Sequence, residues 1–77
     1  MQVKDVIGAL VAHSGQSARG ISATLGKSPN WAAMAAQRTP RLDTLADVAD
    51  LAGCDVVIID RETGERLGTI EPPRRAE

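Results

Sequence analysis

Apolar residues recur at helical spacing up to Gly53, and beyond it they give way to an unbroken β-branched run. Val3, Val6, Ile7, Leu10 and Val11 fall on one face of a first helix that stops at Gly15. Ile21 and Leu25, with Ala18 beside them, mark a second helix over residues 17–25. Gly20 lies inside it and costs about 1 kcal/mol relative to Ala; close approach of another backbone or of a phosphate would account for it, as would an unconstrained exposed site. A third helix is predicted over residues 29–38. It is nearly all alanine (Ala32, Ala33, Ala35, Ala36), with Trp31 and Met34 carrying most of its bulk. Thr39-Pro40 then interrupts the chain. Leu42, Leu45, Val48, Ala49 and Ala52 set the inward face of a fourth helix over residues 41–52, with Asp43 in its first turn, where a negative charge suits the helix dipole, and Gly53 to close it. Val56-Val57-Ile58-Ile59 reads as a strand, residues 60–65 as a turn and residues 66–70 as a return strand ended by Pro72-Pro73. The expected fold class is mainly α, four helices followed by a C-terminal β-hairpin.

The junction between the second and third helices is the most informative stretch. Gly26 readily takes the left-handed conformation that closes a helix. Ser28 is a good N-cap, and Pro29 suits the first helical position, where its missing N–H would be unpaired anyway. One helix stops and another starts within about three residues, the spacing of a helix-turn-helix. That motif holds its second helix against the major groove of DNA.

The 77-residue length fits one small domain whose core is marginal alone. The β-branched run would cover both faces of a hairpin, whereas a hairpin buried on one side alternates polar and apolar. One face can pack on the helices, and a second copy of the chain is the simplest cover for the other. Val57, Ile59 and Ile70 are the expected dimer-interface residues. The division follows: residues 1–53 a helical domain, 54–71 a dimerising hairpin, 72–77 a disordered tail.

Charge sharpens the picture. The formal net charge is −1, which does not suggest a generally basic coat. Yet within residues 14–42 the charged side chains are Arg19, Lys27, Arg38 and Arg41 with no acid, giving +4. That positive stretch coincides with the junction just described, the sign asymmetry a DNA-facing surface needs. No apolar run reaches membrane-spanning length, and the N-terminus lacks a signal-peptide core, so a cytoplasmic location with no membrane partner is expected.

Ile21, the small Ser22, Leu25, Gly26 and Ser28-Pro29-Asn30-Trp31, followed by Arg38-Thr39-Pro40 and by Leu42, Leu45, Val48, Ala49, Ala52 and Gly53 at a regular spacing, resemble the lambda-repressor-like, XRE-type helix-turn-helix family over roughly residues 3–53. The resemblance implies a sequence-specific transcriptional regulator, a repressor acting as a homodimer on an inverted repeat in double-stranded DNA. Asn30 would pair with adenine, whose N6/N7 edge matches a side-chain amide. Lys27, Arg38 and Arg41 would contact phosphates, which position the protein without specifying sequence. Gln37, late in the third helix, would reach a base or a phosphate, and Arg19 a phosphate. Ser28 would act chiefly as a cap. Trp31 would lie along the backbone groove or pack inward, and the small volume of Ala32 and Ala35 favours packing.

The chain departs from that family in carrying Ala18 where Gln is usual and Ala32 and Ala35 where aliphatic residues are usual, and in offering few long polar side chains on the third helix. The polar-poor third helix favours the alternative, a protein-binding module on the same fold such as an antitoxin-like or mobile-element inhibitor, whereas the acid-free segment over residues 14–42 favours the DNA-binding regulator. No catalytic constellation is present: His13 and Cys54 are the sole residues of their types, and neither has an evident partner. No enzyme activity, metal or cofactor is expected. His13 reads as an ordinary residue near a helix end and Cys54 as a small apolar group.

Overall fold

The computed structural model describes residues 1–73. A single 3-10 turn over Val3–Asp5 leads into α1 (Val6–Ser14), followed by α2 (Ala18–Thr24), α3 (Trp31–Ala35), α4 (Leu42–Leu51), β1 (Val56–Ile59) and β2 (Arg66–Ile70). The two strands pair antiparallel. The arrangement is mainly α with a C-terminal hairpin.

The centre of the core takes one side chain from each helix: Ile7, Ile21, Ala32 and Val48, all fully buried. Leu10, Val11, Leu25, Trp31, Leu45 and Leu51 pack around them. Two residues expected on the inward faces lie outside. Val3 belongs to the 3-10 turn, whose tighter winding takes it off the α1 stripe, and it is exposed. Leu42 is the first residue of α4 and is also exposed; Ala46, Val48 and Ala49 carry the buried face of that helix instead.

The α2–α3 junction is fixed by two sets of hydrogen bonds. In the first, Gly26, at φ +70°, lets Gly26 N–H donate to Ala23 O (3.0 Å) and Lys27 N–H donate to Ser22 O (2.8 Å). This is the paired pattern of a Schellman turn, which satisfies carbonyls the end of α2 leaves open. In the second, the buried Ser22 hydroxyl donates to Ala18 O (2.9 Å) and accepts from Ala32 N–H (2.9 Å). Ala32 N–H is one of the donors that a helix start leaves without a partner. So α3 is capped from α2, ten residues away in sequence.

That cap corrects two expectations. Ser28 does not cap α3 with its side chain; Asn30 holds the N-cap position, without a side-chain cap bond. And α3 spans Trp31–Ala35 rather than residues 29–38. The flanks wind more tightly: Trp31 N–H donates to Ser28 O, Gln37 N–H to Met34 O and Arg38 N–H to Ala35 O, each a three-residue step. Gly20 also finds its reason. Its N–H donates to Ser17 Oγ, the α2 N-cap, at 3.0 Å, and a Cβ there would stand 3.3 Å from that oxygen. The close approach is the cap itself.

In the hairpin, Val56 faces Ile70, Val57 faces Thr69 and Ile58 faces Gly68, but Ile59 faces Arg66, so Leu67 is the extra residue of a bulge. The Asp60 carboxylate organises the turn, accepting from Glu62 N–H (2.8 Å) and Thr63 N–H (3.2 Å). These backbone donors, Glu62 first, hold the Asp60 carboxyl below its ordinary value. Pro72 is buried, and the rest of the expected tail, residues 74–77, lies outside the described residues.

Two outcomes follow. Ser22→Ala leaves Ala32 N–H buried without an acceptor, which costs roughly 1–3 kcal/mol, and at about 4–8 °C per kcal/mol for a domain of this size the thermal midpoint should fall visibly. A midpoint unchanged by calorimetry would show that the hydroxyl is not needed. For Asp60, a lowered folded-state pKa means that its contribution is present above the unfolded value of about 3.9 and is lost as pH falls through the lower folded value. The amide shifts of Glu62 and Thr63 should therefore move together with a midpoint below about 3.9, and Asp60→Asn should flatten both curves. A midpoint at the ordinary value would remove the carboxylate from its assigned role.

Candidate nucleic-acid interface

The sequence singles out eight residues for contact with DNA, and the fold collects five of them. Lys27 leaves the α2–α3 turn, Trp31 opens α3, and Arg41 occupies the N-cap position of α4. Together with Thr24, Leu25, Asp43, Thr44, Asp47 and Pro73 these three line a hollow of about 480 Å³. A second hollow of about 270 Å³ adjoins it, lined by Ser28, Trp31, Met34, Ala35, Arg38, Thr39, Pro40, Arg41 and Thr44. Trp31, Arg41 and Thr44 border both. Arg19, Asn30 and Gln37 are exposed but line neither hollow.

Trp31 takes the packing role, and a contact along a DNA backbone stays a proposal. It packs against the core, where Ala32 supplies little volume, and its remaining surface forms the wall between the hollows. The Lys27 ammonium lies 5.9 Å from the centre of its ring. A cation at that distance is attracted by the ring's negative face, which favours holding Lys27 at the mouth of the larger hollow.

The electrostatics differ from those read along the chain. Residues 14–42 are free of acids, but folding brings Asp43 and Asp47 of α4 onto the same surface as Lys27 and Arg41. Arg41 pairs with Asp43 at 3.4 Å, both largely open to solvent. Exposed pairs of this kind are weak and exchange readily. Linear charge counting misses the two acids because they lie just past the segment boundary in sequence and beside it in space.

The expected dimer residues are divided by the pleat. Val57 and Ile59 share one face of the hairpin, whereas Ile70 lies on the opposite face with Val56. Val56 and Ile70 adjoin Ala46 and Asp50 of α4. Within the hairpin the large apolar side chains left open are Leu67 (64% exposed), Ile59 (54%) and Ile58 (51%). Leu67 escapes sequence reasoning because a bulge sets its direction. Ile58 escapes because α4 covers the strand only near Val56.

Among the described residues no helix is long and apolar enough to cross a membrane. Comparison with family models, with curated proteins and with solved structures finds no match to this chain.

Proposed function

We propose that the chain is a sequence-specific DNA-binding regulator of the helix-turn-helix type, acting as a homodimer on an inverted repeat. The observation that carries this reading is the α2–α3 unit. A Schellman turn and the Ser22 hydroxyl hold two short helices in one fixed relation, and the open side of the second helix adjoins Lys27, Arg38 and Arg41. A rigid helix edged by cations fits a major groove flanked by phosphates. Asn30, Ala33, Arg19 and Gln37 are exposed as well.

Dimerisation is supported by the hairpin. A two-stranded sheet is marginal in water, and this one exposes Ile58, Ile59 and Leu67 near its turn. A second copy would cover these side chains and would also set two α3 helices at the spacing of two half-sites.

One observation favours a second reading, a protein-binding module. The smaller hollow is walled by Trp31, Met34, Ala35 and Pro40, and Met34 is 49% exposed. An apolar anchor from another protein would fit there.

Binding-site selection on random duplex DNA separates the two. A DNA regulator enriches a palindrome. Asn30→Ala should then relax one symmetric position and cost about 1–3 kcal/mol on the selected site. Alanine at Lys27, Arg38 or Arg41 should weaken all sequences alike and lower the salt slope by roughly 1 each. Folded protein that enriches no sequence would move the assignment to the protein-binding module. For the dimer, Ile59→Asp should shift sedimentation towards the monomer, since a buried unpaired carboxylate is costly. Wild-type protein that sediments as a monomer at tens of micromolar would exclude a hairpin dimer.

A further inference from the structure

The smaller of the two hollows combines an apolar wall with a purely positive edge. Trp31, Met34 and Ala35 of α3 and Pro40, on the way to α4, supply the apolar surface, and the exposed Arg38 and Arg41 supply the charge. At about 270 Å³ the hollow lies below the roughly 300–1,000 Å³ of small-molecule sites, so it suits a side chain or two rather than a cofactor. Its walls differ in stiffness. Trp31 is braced by the core, and the ring of Pro40 fixes its own φ. Met34 is half exposed, and its unbranched thioether repacks readily around an incoming group.

Charge separates this hollow from the larger one. The larger is lined by Lys27, Arg41, Asp43 and Asp47, two cations and two anions. Among the described residues the smaller is lined by two arginines and no carboxylate. Arg41 also pairs with Asp43 at 3.4 Å, but the pair is exposed and exchanges readily for another carboxylate. A phosphate backbone satisfies the arginines and leaves the apolar wall uncovered. A peptide with a large apolar residue flanked by Asp or Glu satisfies both. The planar arginine fork matches a carboxylate with two parallel hydrogen bonds. Trp, Met and Arg are also the types that protein interfaces concentrate, and Trp and Arg are among those that carry most of the binding energy.

From this lining we infer that the smaller hollow is a docking site for an acidic protein segment, which sets one large apolar side chain against Trp31 and Met34 while its Asp or Glu residues pair with Arg38 and Arg41. This rests on the protein-binding reading above and adds the chemistry of the partner. The same two arginines are the proposed phosphate contacts, so a chain that binds DNA would hold either the segment or the duplex at this edge of α3, not both.

The test is selection from a display library of short random peptides against the full chain, followed by titration with the selected peptide, synthesised without tryptophan. Trp31 is the chain's only tryptophan, so its emission reports on this wall alone. Selected peptides should carry a large apolar residue flanked by Asp or Glu, and their binding should shift the Trp31 emission and weaken with salt. Reselection against Arg38→Glu should lose the acidic flanks. Met34→Asp should weaken binding about tenfold, the loss expected of an interface anchor, with both variants melting alongside the wild type. If Met34→Asp melts lower, Arg38→Glu alone decides. Apolar residues enriched without acidic flanks would overturn the acidic partner and leave the protein-binding reading standing. Enrichment of no motif would overturn both and leave the DNA-binding reading untouched. Acidic peptides that bind Arg38→Glu as tightly as the wild type, with Trp31 emission unmoved, would place the contact elsewhere and overturn the site. Emission that shifts when the wild-type protein alone is concentrated, but not in Met34→Asp, would give the hollow to a second copy and overturn it too.

Discussion

The hydroxyl of Ser22 is the constraint on which the α2–α3 unit and the candidate interface depend. It lies fully buried, gives its proton to Ala18 O within α2 and takes the N–H of Ala32 at the start of α3. A neutral hydrogen bond adds only about 0.5–1.5 kcal/mol net, but a buried donor left without an acceptor costs roughly 1–3 kcal/mol. The asymmetry makes the bond directional: α3 can begin only where its second N–H meets that oxygen. Lys27 and Ser28 then leave the turn, and Trp31 opens α3, in positions set by the same anchor. A larger residue at position 22 has no space, and an apolar one has no acceptor.

Alanine at the centre of α3 is the counterpart of that bond. Ala32 is fully buried against Ile7, Ile21 and Val48, and its small side chain lets the α3 backbone come within hydrogen-bond reach of Ser22. An aliphatic residue there would add apolar area but push the helix away. The volume that Ala32 and Ala35 do not supply comes from Trp31, nearer the solvent. As a result the chain's only aromatic ring both closes the core and walls two surface hollows. Core and candidate interface share a side chain.

Much of the architecture is legible in the sequence because its signals are local. Gly26 and Gly53 close helices with bonds to carbonyls a few residues back, and the run Val56–Ile59 followed by residues 60–65 specifies strand and turn by residue type. The features that sequence does not show are non-local. The boundaries of α3 differ from the expected ones because its cap comes from Ser22 rather than from Ser28. Leu42 keeps the apolar spacing of α4 yet stays exposed, since periodicity shows which face a residue shares but not how far the neighbouring elements extend over it. At the interface, residue types identify the cations, but their neighbours in sequence do not reveal Asp43 and Asp47 beside them. The exposure of Leu67 depends on the bulge.

The hairpin explains why a helical domain this small carries a β extension at all. The four helices bury few large side chains, only Ile7, Ile21 and Val48 among the apolar ones lying wholly inside with Ala32. The hairpin places Val56 and Ile70 beside α4, then seats Pro72 and returns the chain to Trp31 and Arg41. The outer end of the same element carries Ile58, Ile59 and Leu67 in the open. If those side chains meet a second copy, the proposed subunit contact is made by a short segment whose other end is braced against α4. Movement of the hairpin relative to α4 would then alter subunit spacing. The bracing by Val56, Ile70 and Pro72, rather than any single DNA-facing residue, would set how rigidly two half-sites are measured.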